Sequence, residues 1–99
     1  MKIIWSALAV ERLEETCDHI ARESPAAAQR WAASILDLVD LLRANPQTVR
    51  VVPELGIAAI RELISGRYRI IYRTLGPAIR ILTVRSFSQP FPSEDVPSQ

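Results

Sequence analysis

Between residues 57 and 85 three β-prone runs follow one another, joined by two very short turns, Ser65-Gly66 and Gly76-Pro77. Joins this short force consecutive strands to lie antiparallel, because a parallel return needs a crossover of about a dozen residues or more. The runs are residues 57–64, 67–74 and 78–85. In the middle one, Tyr68, Ile70 and Tyr72 fall on one face, and Arg67, Arg69, Ile71 and Arg73 on the other. The first face is apolar and needs a cover, and the segment before the sheet supplies one.

Residues 2–5 are short and apolar and read as a further strand. Ser6 is placed to cap a helix, its hydroxyl accepting from a free N–H of the first turn. Val10, Leu13, Cys17, Ile20 and Ala21 then recur at helical spacing, with Glu11, Glu14, Glu15 and Asp18 facing outward. Ser24-Pro25 starts a second helix, since proline at the first helical position loses no hydrogen bond. Its apolar stripe is Ala28, Trp31, Ile35, Leu38, Val39 and Leu42, and Asn45-Pro46 is its expected stop. So short a link implies an antiparallel helical hairpin. Residues 47–56 read as loop. The expected fold is α+β, in the order β-α-α-β-β-β, with an N-terminal helical hairpin packed on one face of an antiparallel sheet. Residues 1–87 make the domain, and residues 88–99, rich in Pro, Ser and acids, read as a flexible tail.

Charge is unevenly spread. The segment from Ser6 to Glu23 sums to −3 and that from Ile57 to Arg85 to +5, and eleven of the twelve basic residues are Arg. Arginine presents a planar fork of donors suited to carboxylates and phosphates, so the C-terminal half expects an acidic partner. A single cysteine, Cys17, excludes an internal disulfide. One His and one Cys also exclude a Cys/His structural zinc site within the chain, and no cofactor is expected. The absence of an apolar run near 18 residues, and of a leader-like start, points to the cytoplasm and away from a membrane.

Several segments together resemble the RelE/ParE toxin superfamily. They are Ile3-Ile4-Trp5-Ser6 before a Glu-rich helix, and Ser24-Pro25-Ala26-Ala27-Ala28 before Trp31. In the sheet they are Ile60-Arg61-Glu62-Leu63, Gly66-Arg67-Tyr68-Arg69-Ile70-Ile71-Tyr72 and Ile81-Leu82-Thr83-Val84-Arg85. The resemblance implies the toxin of a type II toxin–antitoxin pair, neutralised by a cognate, ParD-like antitoxin with which it would form a hetero-oligomer. Members of the superfamily divide into ribosome-dependent RNA-cleaving enzymes and ParE-like inhibitors of DNA gyrase.

Cleaving RNA through its own 2′-OH needs a proton acceptor, a proton donor and cations for the developing phosphorane charge. Cations are present: by resemblance Arg69 matches a phosphate-contacting arginine and Arg85 another basic position, with Arg61 and Arg67 close in sequence. Proton carriers are not. RNA-cleaving relatives carry a His or Tyr past the last strand, where this chain has Ser86-Phe87-Ser88. His19 lies in the acidic first helix, far in sequence from the arginines, and Glu54 and Glu62 are the remaining candidate bases. The expectation is a ParE-like, plasmid-stabilising type of toxin with no catalytic residues. Arg61, Arg67, Arg69 and Arg85 would then offer charge to the antitoxin, the target or both. The alternatives are a RelE-like ribonuclease and a decayed toxin that only binds a partner.

Overall fold

A computed structural model of the chain describes residues 2–44 and 50–96. Strand β1 (Lys2–Trp5) is followed by helices α1 (Ala7–Ala21) and α2 (Pro25–Leu41), then β2 (Ile60–Ser65), β3 (Tyr68–Leu75) and β4 (Ala78–Ser86). A single turn of 3₁₀ helix spans Ser93–Asp95. The strands order β1-β4-β3-β2. The meander β2-β3-β4 is antiparallel, as its short turns require. β1 instead lies parallel to β4, pairing Lys2 with Ala78 through Trp5 with Ile81, so the sheet is mixed rather than wholly antiparallel.

Both helices begin where the capping residues place them. The Ala9 N–H donates to Ser6 Oγ at 3.0 Å, and the Ala27 N–H to Ser24 Oγ at 3.1 Å, each meeting an orphan donor of its first turn. Ser6 also ties α1 to the sheet: its hydroxyl donates to the Leu82 carbonyl and its N–H to the Ile81 carbonyl. Asn45-Pro46, the expected stop of α2, and residues 47–49 of the expected loop lie outside the described residues. The second strand opens at Ile60 rather than residue 57, because a turn closed by the Ile60 N–H on the Ile57 carbonyl precedes it.

The helices cover one face of the sheet. Ala9, Ile35, Val39 and Leu42 pack there against Ile70, Tyr72, Ile79, Ile81 and Val84. Full burial of each such aliphatic side chain contributes roughly 1.5–3 kcal/mol. Burial also pushes the Tyr72 hydroxyl up to about 12. The other face is covered too, by a smaller core of Val52, Ile60, Ile71, Leu82 and Val96 with Leu55, Ile57 and Phe91 against it. This differs from the expected flexible tail: within it, residues 91–96 lie on the sheet, and Pro92, Asp95 and Val96 are buried. Phe91 and Val96 are too few and too irregularly spaced to show a period, but the apolar face they meet gives them somewhere to go.

One irregularity decides which side chains share a face. Ile71 pairs with Thr83, but Tyr72 pairs with Ile81, so Leu82 is an extra residue in β4. Strict alternation would put Arg85 on the face of Ile79 and Ile81. The bulge inverts the strand after Leu82, sending Val84 to the helical side and Arg85 to the side of Arg69.

Candidate functional site

The second face of the sheet gathers Arg69, Arg73, Arg80 and Arg85. The register sets Arg69 opposite Arg85 and Arg73 opposite Arg80. Like charges directly across a ladder repel, and among the described residues only the Arg69–Arg85 pair is met by carboxylates.

Arg69 is held in a closed network. Its Nη1 and Nη2 donate to both oxygens of Glu54, at 2.9 and 2.8 Å, and its Nε donates to Glu62 Oε1 at 2.7 Å. Arg50 Nε donates to the other Glu62 oxygen. The guanidinium carbon also sits 4.9 Å from the Phe87 ring centre and 5.2 Å from that of Phe91, within cation–π range. Arg69 is 5% exposed and Glu62 1%. Two carboxylates and two guanidiniums leave the cluster neutral. The hydrogen bonds from Arg69 hold the Glu54 carboxyl down to about 2, and those from Glu54 and Glu62 raise the Arg69 guanidinium further. Both oxygens of each carboxylate are taken up by guanidinium N–H groups.

Arg85 is latched by the tail. Its Nη2 donates to Glu94 at 3.1 Å, and its Nε lies 3.7 Å from Asp95. Asp95 is the hub of this second cluster. It accepts from Arg12 Nε at 3.0 Å and Nη2 at 3.1 Å, and from Thr83 Oγ1 at 2.8 Å. The Arg12 hydrogen bonds, with Thr83 assisting, hold the Asp95 carboxyl below the usual carboxylate range.

The four arginines expected to form one basic surface are thus separated. Arg69 is buried and neutralised, and Arg85 is half-buried against the tail. Arg61 pairs with Tyr72 and so lies on the helical face, its Nε donating to the Ala58 carbonyl. Arg67 stands exposed in the β2–β3 turn. The pair that sequence reading missed is Arg73 and Arg80, which has no ion-pair partner among the described residues. It lines an open cleft of about 270 Å³ with Leu8, Leu75 and Leu82. Its signal, two arginines at matching distances from the Gly76-Pro77 turn, was present in the sequence.

His19 is also closer to the arginines than its place in the chain suggests. The C-terminal end of α1 lies beside the start of β3 and the end of β4. His19 and Arg22 therefore line an open cleft of about 450 Å³ with Arg67, Tyr68, Ser86 and Ser88. Tyr68 is held there by Trp31, the ring centres 5.0 Å apart and tilted by 59°. Among the described residues no group of three or more His, Cys, Asp or Glu side chains is arranged to hold a metal, and no helix is long and apolar enough to cross a membrane.

Comparison with known proteins agrees with this architecture. The chain is similar in fold to the "Chromosomal ParDE TA system from P. aeruginosa". The TM-score is 0.73 at 21% identity, over 87% of this chain and 95% of that one. No curated protein matches. The family described as "ParE toxin of type II toxin-antitoxin system, parDE" matches residues 3–91, nearly the whole β-α-α-β-β-β unit and its first tail contact. The chain belongs to the ParE toxin family of type II toxin–antitoxin systems.

Proposed function

We propose that this chain is a cytoplasmic toxin that acts by binding rather than by cleaving RNA, that its target is DNA gyrase, and that an acidic segment of a cognate antitoxin neutralises it. The observation that carries this reading is the state of Arg69. An arginine that stabilises a scissile phosphate must present its donors to it, and here they are spent on Glu54 and Glu62. Ser86 and Ser88 support the same reading, since they hydrogen-bond each other in a turn where a proton carrier would be needed. The uncompensated Arg73–Arg80 pair, flanked by exposed Leu75, suits an acidic and partly apolar partner segment.

Expression without antitoxin tests the reading directly. Filamentation with induction of the DNA-damage response is expected, together with loss of supercoiling by purified gyrase when toxin is added. Rapid translation arrest with cut mRNA would transfer the assignment to a ribosome-dependent ribonuclease. In that case His19 or Tyr68 of the α1–β3 cleft would have to carry the proton. Unimpaired growth with unaffected gyrase would leave only a binding partner.

A further inference from the structure

We infer that the cleft between the end of α1, the β2–β3 turn and the segment after β4 is a binding site for a small phosphate monoester of mononucleotide size. Arg12, Arg43, Arg50, Arg69 and Arg85 are each paired with a carboxylate. Arg22 and Arg67 are exposed, line the same cleft, and have no such partner among the described residues. Glu15, the one carboxylate lining this cleft, is already engaged through both oxygens by Arg12, at 3.2 Å each. The charged side chains lining this opening, Arg22 and Arg67 against Glu15, therefore leave it net positive among the described residues.

The wall opposite α1 is built of fixed donors. The Phe87 N–H donates to the Arg67 carbonyl at 2.8 Å, which locks the Arg67 backbone to the turn after β4. That turn is closed by the Gln89 N–H on the Ser86 carbonyl, and the Ser86 N–H donates to Gln89 Oε1 at 3.1 Å. The Gln89 amide N–H₂ remains to donate outward. Ser86 and Ser88 share one hydroxyl hydrogen bond of 2.8 Å, so whichever of them donates, the other's proton is left for a ligand. Donors without a competing acceptor suit a phosphate, whose terminal oxygens accept only.

Size and shape restrict the ligand further. A volume of about 450 Å³ falls within the range typical of small-molecule sites. Tyr68, its ring braced by Trp31, supplies a flat wall on which a base can stack. A second cleft of about 410 Å³ shares His19, Arg22, Arg67 and Tyr68 with the first and extends it past Glu23 and Ser24, so the anion is placed on the Ser86 side, away from the Glu23 carboxylate. The α1 C-terminus and the α2 N-terminus meet at this corner, and their opposite partial charges offset each other. The arginines, not the helix ends, thus set the sign of the site. Such a site would be present whatever the toxin acts on.

Titration calorimetry of the purified chain with AMP, adenosine and inorganic phosphate tests it. Saturable AMP binding at or below about 1 mM is expected, with adenosine and phosphate each at least about tenfold weaker. The double variant Arg22→Ala/Arg67→Ala should weaken AMP binding by about tenfold or more, with circular dichroism unchanged. Arg30→Ala, an exposed arginine of α2 outside the cleft, should leave it unaltered. No saturation by about 10 mM AMP, or equal loss in the Arg30 variant, would overturn the assignment. So would a penta-glutamate peptide competing as strongly as AMP, since the site would then read any anion.

Discussion

Replacing Asp95 by Asn separates a packed C-terminal segment from a loose one. In the native chain the Asp95 side chain is 2% exposed and accepts three hydrogen bonds, two from the Arg12 guanidinium and one from Thr83. Hydrogen bonds to charged partners contribute about 1.5–3 kcal/mol each, more than neutral ones. Asparagine keeps one acceptor oxygen, which at the Oδ2 position can still serve Thr83 and Arg12 Nε, but its N–H₂ then faces Arg12 Nη2 and that bond is lost with the ion pair. Arg12, with its side chain 22% exposed, recovers part of its hydration. The lost charge-assisted bond and the donor–donor contact that replaces it therefore cost about 2–3 kcal/mol net. With a urea m-value of about 1–3 kcal/mol/M, the unfolding midpoint should fall by roughly 1–2 M at unchanged m. A double-mutant cycle with Arg12→Met should return a coupling of about 1–3 kcal/mol. A destabilisation under about 0.5 kcal/mol, the range of ordinary surface changes, would refute the packed tail and with it the second core.

Two further outcomes follow from the same clusters. Glu62→Ala leaves the buried guanidinium of Arg69 with Glu54 alone and should cost about 3–5 kcal/mol in urea denaturation; a loss below 1 kcal/mol, roughly a surface-like effect, would count against the closed network. The folded carboxyls of Glu54 and Asp95 are held below their ordinary values, Glu54 to about 2. Their stabilisation is therefore fully present above an ordinary carboxylate pKa of about 4 and is lost as pH falls toward 2. Urea midpoints measured between pH 6 and 2.5 should decline mainly below about pH 4.5, and a flat profile there would contradict the assignment.

Local signals carried much of the fold. Ser6, Ser24-Pro25 and the two glycine turns act within a few residues of themselves, so the elements they bound could be read directly. Gly66 and Gly76 both adopt positive φ, +58° and +54°, as tight turns between antiparallel strands require. The site was less legible because its decisive relations are long-range. Arg69 reads as a free cation until Glu54 and Glu62 are folded against it. The extra residue at Leu82 leaves no mark in composition, yet it decides that Arg85 joins Arg69. His19 and Arg67 meet only because α1 ends over the β2–β3 turn. Arg73 and Arg80 stand symmetrically about a turn, but that neither forms an ion pair among the described residues, with Asp95 of their cleft bound by Arg12, appears only once their neighbours are placed.

The parallel pairing of β1 with β4 has a consequence for the order in which the chain is made. Lys2 leaves the ribosome 76 positions ahead of its partner Ala78. At synthesis rates of about 5–20 residues per second that is an interval of roughly 4–15 s. Until it ends, β1 has no strand to join, and α1, tied through Ser6 to the Ile81 and Leu82 carbonyls, has no sheet to anchor it. A nascent toxin of this topology therefore exposes its helical hairpin to solvent, chaperones or a partner until β4 has been made.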